Sequence, residues 1–98
     1  MEKSMTTLAT RMRELADLED FDVQVLRSDG TVVDASTNGF PRYDYDRRAK
    51  GTMTVADWKT ARFNTAYPGY SCKVLNGDGT EARGNTMLAT VRETYEEQ

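Results

Sequence analysis

One pattern occurs twice in this chain of 98 residues and limits what it can fold into. Residues 21–31 read FDVQVLRSDGT, and residues 70–80 read YSCKVLNGDGT. Each is an alternating strand running into Asp-Gly, the strongest short-range signal for a β-hairpin. The copies sit 49 positions apart, with Val25/Val74, Leu26/Leu75, Asp29/Asp78, Gly30/Gly79 and Thr31/Thr80 identical. Over the rest of the chain the same offset adds only Arg13/Arg62 and Thr37/Thr86. Two hairpins obeying the same turn chemistry is therefore a simpler reading than a duplication.

Side-chain chemistry fixes the expected register. A two-residue Asp29-Gly30 loop would bury Asp34 beside Val23. A three-residue loop, Ser28-Asp29-Gly30, instead sets Val25 opposite Val33 and gathers Phe21, Val23, Val25, Val33 and Ala35 on one face. The matching loop Gly77-Asp78-Gly79 gathers Tyr70, Cys72, Val74 and Ala82. Such loops place a left-handed residue last, so positive φ is expected at Gly30 and Gly79.

Three helical patterns flank the hairpins. In residues 4–17, Met5, Leu8, Met12 and Leu15 form one stripe, with Ser4, Thr6 or Thr7 as cap. Asp17, Glu19 and Asp20 oppose the negative end of the dipole, which predicts an end near Asp17. The second helix opens with Thr54 as cap, Asp57 completing a capping box, and Met53 stapled to Trp58. Its apolar face is Val55, Trp58, Phe63 and Ala66, and Pro68-Gly69 stops it. Arg62 falls inside that apolar arc, so either its stem reaches the edge or its guanidinium meets a carboxylate or ligand. Residues 86–95 are read as a helix gathering Met87, Leu88, Val91 and Tyr95, although β-branched residues weaken the pattern. The order α-β-β-α-β-β-α predicts an α+β domain: a four-stranded antiparallel sheet of two hairpins with helices packed on one face. It is a single domain over 1–98, with 1–3 disordered and 37–53 a long connecting loop.

Hydrophobic content of 38% and charged content of 30% suit one small soluble domain. No apolar run approaches the ~20 residues of a membrane helix, so no membrane contact is expected. The N-terminus lacks the apolar stretch of a signal peptide. A single cysteine, Cys72, excludes an internal disulfide and fits a reducing, cytoplasmic setting. The charge of −3 is uneven. Residues 40–62 hold Arg42, Arg47, Arg48, Lys50, Lys59 and Arg62 against Asp44, Asp46 and Asp57, so the rest of the chain is strongly acidic.

Several chemistries are excluded or disfavoured. With no histidine, the usual Ser-His-Asp and Cys-His systems and the commonest metal ligand are missing. One cysteine and no histidine cannot build a usual structural zinc site. Counting twelve from Asn76 in the Asn76-Gly-Asp-Gly-Thr turn reaches Met87, where a calcium loop needs Glu. Neither a dinucleotide fingerprint nor a Walker lysine is present. Asp44 and Asp46 lie in a loop where nothing visible would raise a carboxylate pKa. Cys72 points inward as a core residue. No cofactor or metal is expected, and no catalytic residue is assigned.

The constellation that invites a function is the interleaved set Phe40, Arg42, Tyr43, Tyr45, Arg47, Arg48 and Lys50. Tyrosine and arginine are enriched at binding hot spots, so a partner-binding loop for a protein is the first expectation. The same residues could stack on bases and hold phosphates of RNA or single-stranded DNA. Asp44, Asp46 and a sequence pI near 4.9 oppose that second use. An enzyme of uncommon design, using Ser, Thr or Tyr, is the third. As a class only, a compact, acidic, histidine-free domain resembles the small inhibitors and regulators encoded by phages and mobile elements.

Overall fold

The computed structural model describes residues 6–96, so Met5 and the expected disorder of 1–3 lie outside the described residues. Helix α1 (Leu8–Glu19) begins where the Thr7 hydroxyl accepts the Thr10 N–H, and it buries Leu8, Arg11, Leu15 and Glu19. It continues past Asp17 because Glu19 is not left facing the dipole alone; two guanidiniums hold its carboxylate. Asp20, at φ 68, closes the helix with its N–H on the Ala16 carbonyl. Strand β1 (Asp22–Arg27) follows. Helix α2 starts at Val55–Trp58 with Thr54 capping the Asp57 N–H, widens into a π turn at Lys59–Phe63, and ends at Asn64–Ala66. Strand β2 (Tyr70–Leu75) and helix α3 (Leu88–Glu96) complete the order α-β-α-β-α.

The four-stranded sheet of two hairpins does not form. The sheet has two strands, β1 antiparallel to β2, with Val23 opposite Val74 and Val25 opposite Cys72 on the buried face. Both Asp-Gly turns adopt the expected register, as Val33 N–H donates to Val25 O and Ala82 N–H to Val74 O. Each return arm then makes a single bridge, Leu26 to Val32 and Leu75 to Glu81, before leaving the sheet. The cause is local. Asp34 accepts the Ser36 N–H and hydroxyl, bending the first arm into a turn. The carbonyls of Ala35 and Thr37 then receive the Ala9 and Leu8 N–H groups of α1. An arm that satisfies the orphan donors of a helix start is no longer available to extend a sheet. Ala35, expected inside, is exposed.

The second arm does the same for α2. Gly84 and Thr86 carbonyls receive the Ala56 and Val55 N–H groups at 2.9 and 2.8 Å, matching 2.9 and 2.8 Å in the first copy. The chain is thus an internal structural repeat of a helix, a strand, an Asp-Gly turn and a capping arm, which is more than two hairpins sharing turn chemistry. Gln24 pairs with Lys73, its own counterpart 49 positions on, so an approximate dyad passes through that pair. Tyr95 of α3 closes one end of the ladder: its hydroxyl accepts the Asp22 N–H at 2.9 Å and donates to Leu75 O at 2.5 Å.

The π turn explains how the two helices match. Buried positions in the first unit are Leu8, Arg11, Leu15 and Glu19; in the second they are Val55, Trp58, Phe63 and Tyr67. One extra residue separates Trp58 from Phe63, and the wider turn absorbs it without rotating the buried face. Tyr67 consequently occupies the place that Glu19 holds in the first unit. Its hydroxyl is buried with no hydrogen-bond partner among the described residues, and burial pushes its pKa up to about 12. Since a buried unpaired polar group is a standing cost, Tyr67→Phe is expected to raise stability by roughly 1 kcal/mol in urea unfolding. A lowered midpoint would show that the hydroxyl has a partner.

Gly30 and Gly79 sit at φ 90 and 88, as expected. Their Cβ positions meet open space, so the cost of substitution is conformational rather than steric. Gly30→Ala and Gly79→Ala should each lower stability by ~1 kcal/mol and add in the double variant.

Candidate functional site

The 40–50 segment does not stand away from the protein. Phe40 and Tyr43 are 5% and 6% exposed, and Ala49 3%, so three of its residues are core. The Phe40 ring packs 5.8 Å from Tyr67 and 5.0 Å from Tyr70, and its carbonyl accepts the Arg11 Nε–H at 3.0 Å. Tyr43 lies 4.9 Å from Tyr45, which is half-buried beneath the Arg62 guanidinium at 4.3 Å. Arg42, Arg47, Arg48 and Lys50 are exposed. The seven residues expected to form one contact surface therefore split, with the rings largely inward and the cations outward. The reason is area: a small domain with a two-stranded sheet buries little apolar surface in its regular elements, and the connector's rings add to the aromatic cluster of its core.

What holds the segment down is Glu19. Its carboxylate is wholly buried and receives four hydrogen bonds, two on each oxygen. Oε1 accepts the Ala49 N–H at 2.8 Å and Arg92 Nη2 at 3.0 Å; Oε2 accepts the Tyr43 hydroxyl at 2.5 Å and Arg62 Nη1 at 2.8 Å. Arg92 also donates from Nε to the Glu19 carbonyl, and Arg62 to the Arg47 carbonyl at 2.7 Å. Trp58 Nε1 donates to the Tyr43 hydroxyl at 3.0 Å. Burial and the adjacent Glu19 charge push the Tyr43 pKa well above the ordinary phenol value. The network joins α1, the connector, α2 and α3. With both oxygens saturated and no solvent access, Glu19 has no lone pair left to move a substrate proton; its role is to brace.

Of the two alternatives for Arg62, the guanidinium meeting a carboxylate is the one realised. Cys72 is buried, and burial pushes its thiol up to about 12, far from a nucleophilic thiolate at neutral pH. Among the described residues no group of three or more potential ligands could hold a metal ion, and no helix is long and apolar enough to cross a membrane.

Beside the network a groove of about 860 Å³ runs between the end of α1, residues 48–51 and α3. Arg48 and Lys50 line it together with Asp17, Asp22, Glu93 and Glu96. Arg48 is ion-paired with Asp20 across its edge.

Compared with known proteins, the chain matches no family model, no curated protein and no solved structure. The site is therefore read from its own geometry.

Reading the sequence singles out Arg62 but passes over Glu19, Arg11 and Arg92, all buried. A usable signal exists. Glu19 continues the Leu8–Leu15 stripe, and Arg92 sits beside Val91 on the apolar side of α3. Charges of opposite sign placed on the apolar arcs of separate helices are the mark of an internal ion network.

Proposed function

We propose that the protein is a small non-catalytic module that binds another protein through the exposed, charged side of residues 40–50. One observation carries this reading: a connector without helix or strand from 39 to 53 is nevertheless fixed from beneath by Phe40, Tyr43, Ala49 and the Glu19 network. Long structureless connections in compact domains are commonly functional. One already held in place loses little conformational freedom when a partner docks. The anchors change accordingly. Phe40 and Tyr43 support the loop, whereas Arg42, Arg47, Arg48 and Lys50 present charge, with Asp44 and Asp46 among them. Two of the rings that base stacking would need are the buried ones, and the carboxylates nearby repel phosphates, so a protein partner is favoured over nucleic acid.

Arg42→Glu/Arg47→Glu tests the reading because both side chains are exposed and outside the network. Capture of a partner from extracts of the native organism is expected to fall by about tenfold, with stability within ~0.5 kcal/mol of the wild type. Undiminished capture would overturn it. Replacing Tyr43 would not test binding at all, since it would strip the core.

A further inference from the structure

Of the four asparagines, Asn38 and Asn76 precede glycine, while Asn64 and Asn85 precede threonine. An asparagine amide is attacked most readily by the next backbone nitrogen when that residue has no Cβ to crowd the approach. The branched threonine side chains obstruct it at Asn64 and Asn85. The two Asn-Gly sites are held differently. Asn76 is half-buried, its Nδ2 donates to Thr80 Oγ1 at 3.2 Å, and the Gly77 N–H donates to Thr94 Oγ1 at 2.7 Å. Both reacting groups are tied down there. Asn38 is exposed, and its side chain makes no hydrogen bond among the described residues. The Gly39 N–H reaches Thr6 O at 3.2 Å, whereas the equivalent bond in the second unit, Leu88 N–H to Met53 O, is 2.8 Å. Gly39 lies at φ 89 with open space at its Cβ position, so no neighbour pins the 38–39 peptide from that side.

We propose that Asn38 is a site of spontaneous deamidation, with water as the sole co-reactant, and that the fold spares Asn76. The Gly39 nitrogen bonds to Asn38 Cγ and closes a succinimide ring. The Cγ–Nδ2 bond breaks, and the amide nitrogen leaves as ammonia with the proton that Gly39 gives up. Water then opens the ring. Addition at Cγ leaves an ordinary aspartate at position 38; addition at the main-chain carbonyl carbon leaves isoaspartate, with the backbone routed through the side chain. The two products act differently on α1. Asn38 bridges to Thr7, the helix cap, so an ordinary carboxylate there sits at the positive end of the dipole and is tolerated. Isoaspartate lengthens the backbone by one methylene between the two bonds that flank it, Leu8 N–H to Thr37 O and Gly39 N–H to Thr6 O. These no longer fit together, and the start of α1 and the root of the connector loosen at once. The outcome is the same whatever partner the connector docks on.

The test is to age the full chain in mildly alkaline buffer and follow each asparagine by peptide mapping, reading the amide-to-acid mass gain and the separate elution of isoaspartate. Conversion at Asn38 should outpace that at Asn76 by about fivefold or more, the factor that one hydrogen bond fewer supplies. In urea the two rates should converge, because the fold alone sets them apart. Thr94→Val, which removes the acceptor of the Gly77 N–H, should bring Asn76 toward the rate of Asn38. Asn38→Asp should keep the wild-type unfolding midpoint, whereas the aged fraction carrying isoaspartate should exchange its Leu8 and Ala9 amide protons faster. Equal or faster conversion at Asn76 in the folded protein would overturn the proposal. So would an Asn38 left intact while the urea-unfolded chain converts fully, or an Asn76 rate that Thr94→Val leaves unchanged.

Discussion

Glu19→Ala is expected to cost about 3–5 kcal/mol in urea unfolding, because it leaves two guanidiniums facing a site without a carboxylate. The side chains of Arg62 and Arg92 are 19% and 9% exposed, so water replaces little of the lost interaction. The Ala49 N–H and the Tyr43 hydroxyl lose their acceptor in the same step. Against a typical total of ~5–15 kcal/mol, the loss is large enough to leave much of the population unfolded on heating. Glu19→Gln keeps the shape and one acceptor and should fall between the two. Replacing the three ions together, with Glu19→Leu, Arg62→Met and Arg92→Met, should recover part of that loss, since the cost of burying ions disappears with the ions while the Tyr43 hydroxyl and Ala49 N–H still lack their acceptor. A Glu19→Ala unfolding curve that overlays the wild type would show that the network braces nothing.

Trp58→Ala carries the other large expected effect, ~3–5 kcal/mol, through the cavity left by a fully buried indole. Trp58 meets Phe21 edge-on at 5.1 Å and 81°, Phe63 at 5.9 Å and Tyr43 at 6.4 Å, so its removal opens the centre of the aromatic cluster. Trp58→Phe should be much milder, near ~1 kcal/mol, because the Tyr43 hydroxyl loses one donor yet still donates to Glu19. Tyr43 is shared by Trp58 and Glu19, so the two alanine substitutions should couple rather than add. The measurement is the midpoint of thermal or urea unfolding, and a near-neutral Trp58→Ala would contradict the core assignment.

Local chemistry was legible in the sequence where it depends on neighbours along the chain. The Asp-Gly turns, their three-residue register, the Thr54 cap and the helical reading of residues 86–95 all follow from short-range rules. The sheet was misjudged for a long-range reason. Alternation in residues 31–36 describes a strand, but whether its backbone pairs with a sheet or caps α1 depends on where Leu8 and Ala9 lie in space. The inward turn of the connector's rings has a similar cause. Tyr43 and Arg42 look alike as hot-spot residues, and only a buried acceptor 24 positions away decides that Tyr43 turns inward. Even the repeat was hidden, because the π turn shifts the two helices by a residue and breaks any constant offset.

The dyad through Gln24 and Lys73 has a kinetic consequence. Every rung of the ladder joins positions between 43 and 53 apart, from Arg27–Tyr70 to Asp22–Leu75, while each Asp-Gly turn closes over four residues and each capping arm over 26 to 31. The units can assemble early from nearby contacts, and their mutual docking is the slow, high-contact-order event. Residues 39–53 thereby act as a tether that governs how often the halves collide. Doubling the length of such a tether would change the entropy of closure by only ~0.6 kcal/mol, whereas loosening its seat on Glu19 would release the halves far more.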